Sequence, residues 1–353
     1  MKKSKRIEVI DIAKAITIFL VVLGHTTQNL DKPLYRLVIY SFHMPLFFFL
    51  AGMSIKIKPF TSLKEWKSFI RKNILALVVP YLIWGLIYAP FSFPNIGRLL
   101  YGSWAALGAM GTLTSLWYLS CFFVSRIFVQ GVISFLGLCR VKNLPLWCGI
   151  CAVPMMAIGF LLPHSDAGYL WCIDVAFTAS GFILLGAALR VSLLILAQQR
   201  LSLLFMLLAG SCVVFYAGTF WRADSLGLMI MCAAMYVNVF WFLVNSISGS
   251  MIVLVLSMIL TQAAHDSPSE LRLDAITWYI GRRTLGIFLL HKNFLLEVVM
   301  PFVKGVVPES WPVVVPALIG ASIAMVFAVV MCLVIDRYVP QLLGKFPKYE
   351  HAA

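Results

Sequence analysis

The stretch IDIAKAITIFLVVLGH, residues 10–25, is apolar along most of its length, yet it carries Asp11, Lys14 and His25. Crossing the hydrocarbon core of a bilayer takes about 20 predominantly apolar residues. Comparable runs lie near 10–28, 36–55, 74–92, 115–138, 145–162, 170–189, 201–219, 225–245, 249–264, 284–303 and 313–335. Of the 353 residues, 61% are hydrophobic and only 12% charged. A soluble protein needs about a quarter charged residues to cover its surface. This chain cannot cover itself in water and is read as solvated by lipid. The fold class is an all-α, polytopic transmembrane helical bundle. The longest hydrophilic stretch is 265–283. The expectation is therefore one membrane-embedded domain over 1–353, with no attached soluble catalytic domain. A soluble enzyme, a disordered tail and a disulfide-stapled secreted domain are excluded.

The net charge of +14 is distributed in a way that explains it. Lys2, Lys3, Lys5 and Arg6 precede the first apolar run, and Lys56, Lys58, Lys64, Lys67, Arg71 and Lys72 fill the gap after the second. Arg140, Lys142, Arg190 and Arg200 occupy later gaps, and Arg337, Lys345 and Lys348 close the chain. Basic clusters in alternate gaps mark the cytoplasmic side of a multi-pass protein, so no nucleic-acid partner is needed. MKKSKR resembles a signal-peptide start. Asp11, Lys14 and His25 in the following run, and the lack of a small-residue cleavage site, make it a retained first span.

Basic residues at both ends put both termini in the cytoplasm and require an even number of crossings. Eleven apolar segments do not fit. Either one segment between 201 and 264 fails to cross, with 249–264 the first candidate, or the Gly/Ala-rich piece 99–113 crosses as a twelfth. That piece also reads as re-entrant or interfacial. The eight cysteines include a single CxxC, Cys148 and Cys151, with no second pair to complete a metal or redox site. They are read as small buried hydrophobes, and no metal site is expected.

Ionisable groups inside spans are costly and mark functional sites by default. Lys14 and His25 are eleven residues apart, which at 100° per residue leaves them roughly 20° from one face. Asp11 lies about 40° to the other side of His25. One stripe thus carries Asp11 and Lys14 at the cytoplasmic end and His25 roughly 16 Å above Lys14. Gly24 is expected to leave room for a ligand beside His25. An i,i+3 pair between Asp11 and Lys14 is the plain alternative. His43 opens the second span in FHMPLFFFLAG, residues 42–52, where Pro45 is expected to kink the helix. It reads equally as an interfacial histidine and as an acceptor contact. Arg71 and Lys72 begin the third span as anchors or phosphate ligands. Trp117 and Tyr118 open the fourth as an aromatic belt or a sugar-stacking surface. His291, Lys292 and Glu297 interrupt the run GRRTLGIFLLHKNFLLE. Arg126 and Asp174 are expected to form a buried pair, and His164, Asp166, Arg222 and Asp224 to be loop residues.

These residues, in this order, resemble the acyltransferase-3 family of membrane proteins. The resemblance rests on Arg6, Asp11 and Lys14, on LVVLGH ending at His25, on FHMPLFFFLAG at 42–52 and on the basic start at Arg71. LWYL at 116–119 and GRRTLGIFLLH at 281–291 extend it over nearly the whole chain. Within the family the chain is most similar to stand-alone sugar O-acetylases of the fucose 4-O-acetylase, capsule and O-antigen type.

The resemblance implies about ten helices with both ends cytoplasmic, in a bacterial inner membrane. It implies acetyl-CoA as donor and a cell-surface glycan or lipid-linked sugar as acceptor, with no tightly bound cofactor. It places His25 and Asp11 as catalytic, Lys14, Arg71 and Lys72 on the donor phosphates, and His43, Trp117, Tyr118 and His291 on the acceptor. The family's Arg–x10–His pattern has Lys14 in place of the arginine, which keeps the charge and loses the bidentate fork. Many relatives also carry an extracytoplasmic esterase-like domain, which is not expected here. Two rival classes use the same residues. One is a proton-coupled secondary transporter with His25, Asp174 and His291 as its path; the other is a non-catalytic partner in glycan assembly. Acyl-CoA turnover by purified protein separates the first, and loss of acetyl groups from a deletion strain separates the second.

Overall fold

The computed structural model describes residues 8–27, 34–89, 91–220, 230–236, 238–266 and 273–346. Arg6 and the lysines before it, Arg222, Asp224, Lys348 and most of 265–274 lie outside the described residues. The helices are α1 Glu8–Gly24, α2 Leu34–Tyr40, α3 His43–Ser54, α4 Leu63–Asn73, α5 Val79–Tyr88, α6 Phe93–Tyr101, α7 Trp104–Gly108 and α8 Trp117–Leu138. They continue with α9 Leu144–Leu161, α10 Ile173–Leu196, α11 Leu201–Phe220, α12 Val239–Asp266, α13 Leu273–Gly281, α14 Thr284–Phe294, α15 Met300–Val306 and α16 Val314–Tyr338. Among the described residues nine helical stretches are long and apolar enough to cross a membrane. The protein is a polytopic helical bundle. The 17 residues of α1 form a shorter helix, enclosed by α3, α12, α13, α14 and α16.

Small residues set the closest approaches, as expected where lipid offers no competing hydrophobic drive between helices. A Cβ on Gly52 of α3 would stand 2.0 Å from the Ile183 carbonyl oxygen, and one on Gly186 of α10 would stand 2.0 Å from that of Phe49. The two glycines therefore let α3 and α10 touch backbone to backbone. Gly281 at the end of α13 does the same against Asp11 on α1, with a Cβ 2.1 Å from the Asp11 carbonyl. At the periphery, α11 presents Phe205, Met206, Val213, Val214 and Tyr216 outward, as lipid-facing positions should be.

The awkward count of eleven resolves in α12. Segments 225–245 and 249–264 do not form two spans, because Val239–Asp266 is one helix. The polar residues Asn245 and Ser246 within it make interhelical contacts. Asn245 Nδ2 donates to the Gly218 carbonyl (3.3 Å) and Ser246 Oγ to that of Ser41 (3.3 Å). Gly249 faces the Phe42 ring, where a Cβ would come within 2.4 Å. The stretch 99–113 supplies only short helices, α6, α7 and a 3₁₀ turn at Gly111–Leu116.

The second span is broken at Ser41–Phe42, between α2 and α3. Pro45, in the first turn of α3, has no N–H for the Ser41 carbonyl four residues back, which accepts from Ser246 Oγ instead, so the expected kink falls at Ser41–Phe42. Two five-residue wide turns interrupt later spans, at Ile74–Val78 and Leu295–Val299. Each precedes a proline, Pro80 and Pro301, whose missing N–H and bulky ring disturb regular helix. Arg71 and Lys72 fall in the last turn of α4 rather than at a helix start, so no helix N-terminus assists them. Four cysteines are buried, but Cys139 and Cys212 are exposed and Cys151 and Cys232 half-buried, against the expectation that all eight lie inside.

The basic groups gather at one end of the bundle. Lys14 Nζ donates to Ser54 Oγ (2.9 Å), two residues before Lys56. Arg283 Nε pairs with Asp336 Oδ2 at 3.0 Å, and Lys345 bonds the other oxygen of the same carboxylate. This end, where α1 begins, is called the basic end below.

Candidate active site

Two cavities lie along α1. The one nearer the basic end has a volume of about 230 Å³ and is walled by Val21, Met44, Phe47, Leu77, Tyr118, Phe122 and Phe288. Its polar groups are Lys14, Ser54, Thr284 and Arg126. The second, about 640 Å³, is lined by His25, Arg36, Tyr40, His43, Trp117, Lys292 and Glu297. Gly111, Thr112, Thr114 and Ser115 of the 3₁₀ turn, with Ile230, Met231 and Cys232, also line it. Irregular backbone at membrane depth is tolerated where it faces such a cavity. Val21, Met44 and Phe288 line both spaces. On α1 the cavity-facing residues Lys14, Val21 and His25 are spaced by seven and four, the spacing of one helix face.

His25 follows the last turn of α1, and its backbone N–H bonds the carbonyls of Val21 and Val22. Its ring is held by two neighbours. Tyr40 Oη lies 3.3 Å from Nδ1, and the His291 ring stands 5.3 Å away, centroid to centroid, tilted by 39°. The Tyr40 ring is in turn 5.0 Å from that of His43. His43 Nδ1 donates to the Ile39 carbonyl (2.8 Å), and His291 Nδ1 to the Phe288 carbonyl (2.8 Å). A carbonyl can only accept, so in each neutral ring the proton sits on Nδ1 and the lone pair on Nε2. His291 is fully buried, and its Nε2 has no hydrogen-bond partner. It lies beside His25, 5.3 Å ring to ring, and lines neither cavity.

Other expected positions divide between the two spaces. Trp117 faces the larger cavity and Tyr118 the smaller, one residue and about 100° apart on α8. Neither is an outward belt residue: Trp117 is buried, and Tyr118 stacks on Phe122 (5.5 Å, 12°). Gly24 does not open a ligand space. A Cβ there would meet the Tyr40 ring at 3.1 Å, so the room is filled by α2. Asp11 lies fourteen residues below His25, roughly 21 Å along the helix, and lines neither cavity. It cannot share a reacting atom with His25. Arg71 and Lys72 are exposed on α4 and also line neither.

Arg126 and Asp174 do not pair. Arg126 faces the smaller cavity, its guanidinium 5.5 Å from the Phe69 ring and 5.9 Å from that of Phe122. Asp174 sits in the first turn of α10, and its Oδ1 is buried with no hydrogen-bond partner. The helices touch through Ser125, whose Oγ donates to the Ala176 carbonyl (3.2 Å). One residue on, Arg126 turns away from that contact. His164 and Asp166 lie in a loop and pair with each other at 3.4 Å.

Arg36 and Tyr40 were not singled out by sequence. With His43 they repeat at i, i+4 and i+7, the spacing of one helix face, and that signal points to them.

A family profile described as an acyltransferase domain, that of acyltransferase-3, matches residues 7–337. The chain belongs to the acyltransferase-3 family. No curated protein and no solved structure matches it. Membership brings with it membrane acyltransferase activity.

Proposed function

We propose that this protein is a membrane O-acetyltransferase of a bacterial inner membrane, with its basic end in the cytoplasm. It moves an acetyl group from acetyl-CoA to a hydroxyl of a cell-surface glycan or lipid-linked sugar. The observation that carries this reading is the arrangement on α1: Lys14 in the smaller cavity, Val21 in both, and His25 in the larger. A slender apolar passage with cations at its cytoplasmic end suits a phosphorylated donor on a long thin arm. A wider space lined by hydroxyls, aromatic rings and histidines suits a sugar.

The thioester then comes to rest where Val21, Met44 and Phe288 separate the spaces. His25 takes the proton of the sugar hydroxyl as its oxygen attacks the thioester carbon. The C–S bond breaks, and the proton passes from His25 to the leaving thiolate. Tyr40 and His291 hold the His25 ring, as the partners of a catalytic base must. Lys14, with Arg126, offers positive charge to the donor phosphates, and Arg71 and Lys72 offer it from outside. His43, Trp117 and the polar 3₁₀ turn face the acceptor.

Two measurements test the proposal. Purified protein given acetyl-CoA labelled in the acetyl carbon should release free CoA faster when acceptor glycan is present. NMR of surface glycan should show acetyl signals in cells with the protein and lose them in cells without it. Unchanged acetylation in the deletion strain, together with no CoA release, sinks the reading.

A further inference from the structure

Val21, Met44 and Phe288, the residues shared by the two cavities, are apolar. None of their side chains can donate a hydrogen bond to a thioester resting between them. One turn further along α1, at i+4 from Val21, stands His25. One turn further along α14, at i+4 from Phe288, stands Lys292. Each lies roughly 6 Å beyond the boundary on its own helix, and both line the larger cavity. The His25 and His291 rings, 5.3 Å apart, set the two helices side by side at this level. Lys292 follows His291 directly, within electrostatic reach of the His25 ring. A base and a cation thus flank the boundary from two helices.

When a hydroxyl attacks a thioester, negative charge gathers on the carbonyl oxygen before the C–S bond breaks. A positive group or hydrogen-bond donor already aimed at that oxygen is usually the largest single contribution to rate. His25, as the base, is occupied with the hydroxyl proton. His43 cannot serve, because its Nδ1–H goes to the Ile39 carbonyl and leaves only a lone pair on Nε2. Arg36 is engaged over the Tyr40 ring, 5.0 Å from its centroid. Lys292 makes no ion pair or hydrogen bond with the described residues, and Glu297, the acidic residue on this wall, forms no ion pair with it. An ammonium inside a span that meets no counter-charge is costly and marks function by default. A partner that appears only during the reaction makes that cost productive.

We propose that Lys292 is a catalytic residue of the transfer, its ammonium meeting the thioester carbonyl oxygen as negative charge gathers there. The assignment deepens the acetyl-transfer reading above and rests on it. The sugar oxygen bonds to the carbonyl carbon while His25 takes the hydroxyl proton, and the C=O electron pair moves onto the oxygen beside Lys292. That pair returns as the C–S bond breaks, and the proton passes from His25 to the thiolate. Lys292 keeps its protons throughout.

The test compares Lys292→Met, Lys292→Arg and Lys304→Gln with wild type, as purified full-length proteins in detergent. The substrates are acetyl-CoA labelled in the acetyl carbon, and glycan and lipid-linked sugar extracted from cells lacking the protein. Lys292→Met should lower kcat by roughly 10²–10³, the usual cost of losing one oxyanion donor. KM for both substrates should stay near wild type, because ground-state binding is untouched. Lys292→Arg should regain much of the rate by keeping the charge. Lys304→Gln, exposed on α15, should match wild type. Thermal unfolding should place Lys292→Met at or above wild type, since the change removes an uncompensated charge from a span. A lysine kept for the bundle's sake would show the reverse.

A folded, fully active Lys292→Met protein overturns the assignment. So does one that fails to fold or unfolds well below wild type, because the lysine would then hold the scaffold. A raised acceptor KM at unchanged kcat overturns it too, by making the ammonium a ground-state contact. These three failures leave the acetyltransferase standing. No transfer by wild type to either extract sinks that reading itself, and the role of Lys292 with it.

Discussion

The two cavities share Val21, Met44 and Phe288 and differ in almost everything else. The smaller, about 230 Å³, is apolar through its middle, with Lys14 and Arg126 its two charged groups. The larger, about 640 Å³, carries charge or hydrogen-bonding groups around its whole wall, from α2, α3, α14 and the 3₁₀ turn before α8. A narrow apolar passage binds a chain wherever it lies along its length. A wide polar chamber binds a substrate in few orientations. Slack placement on one side and strict placement on the other is what a group transfer from a common donor to a specific acceptor needs. The compartment a residue faces should therefore decide which kinetic constant its mutation moves.

The largest effect should fall on the proposed base. His25→Ala should lower kcat for acetyl transfer by roughly 10²–10⁴, the usual cost of losing a general base. Acetyl-CoA binding should stay near wild type, because His25 faces only the larger space. Equilibrium binding of labelled donor beside a transfer assay reads both. An active His25→Ala protein would move the chemistry elsewhere.

His291 should come next. Its ring packs against that of His25 (5.3 Å) and lines neither cavity, so His291→Ala should cut kcat less than His25→Ala does, without changing KM for either substrate. Its pH–rate profile should shift relative to wild type, since the group beside the base has changed. A raised acceptor KM with unchanged kcat would return His291 to the acceptor.

Much of this was legible in the sequence, and the gaps have physical causes. The stripe of Lys14 and His25 on the first span was legible because helix periodicity is local. The continuity of α12 was not. Its Ser246 Oγ bonds the Ser41 carbonyl, a contact 205 positions apart. In the bundle Asn245 and Ser246 bond neighbouring segments, and Ser248 Oγ bonds the Val244 carbonyl one turn back (2.6 Å). The role of Gly24 was missed for the same reason: a glycine announces close approach, but not whether a ligand or another helix takes the room. His43 and Trp117, singled out from the sequence, both line the larger cavity. Tyr118 points instead into the smaller cavity, a difference of one residue on a helix that sequence cannot orient without its neighbours.

On the donor side effects should be smaller. Lys14→Gln should raise KM for acetyl-CoA about tenfold, the scale of one charged hydrogen bond, and leave acceptor KM alone. Lys14→Arg should keep activity, since it keeps the charge and adds the bidentate fork. Arg71→Ala should change donor KM by no more than about threefold, and high salt should abolish the difference, because exposed charges are screened within about 10 Å at 0.1 M. Initial-rate kinetics at two salt concentrations measures all three. An Arg71→Ala defect larger than that of Lys14→Gln would place the donor phosphates on α4.

The smallest expected effect is a coupling of nearly zero between Arg126 and Asp174. Asp174 is buried and Arg126 half-buried on adjacent helices, a setting that invites pairing, and removing one partner of a true buried pair typically costs ~3–5 kcal/mol. Here Arg126 faces the smaller cavity between aromatic rings, and Asp174 lies at the start of α10. They share no partner. Arg126→Met should cost donor affinity and little stability. Asp174→Asn should change stability with little effect on donor KM. The double variant should equal the sum of the singles to within about 0.5 kcal/mol, the usual limit for independent sites. Thermal unfolding in detergent, followed by tryptophan fluorescence for all four proteins, gives the cycle. Partial recovery in the double variant would show that the two charges do meet. It would also return Arg126 from the donor passage to the scaffold, and leave Lys14 as the sole cation on the smaller cavity's wall.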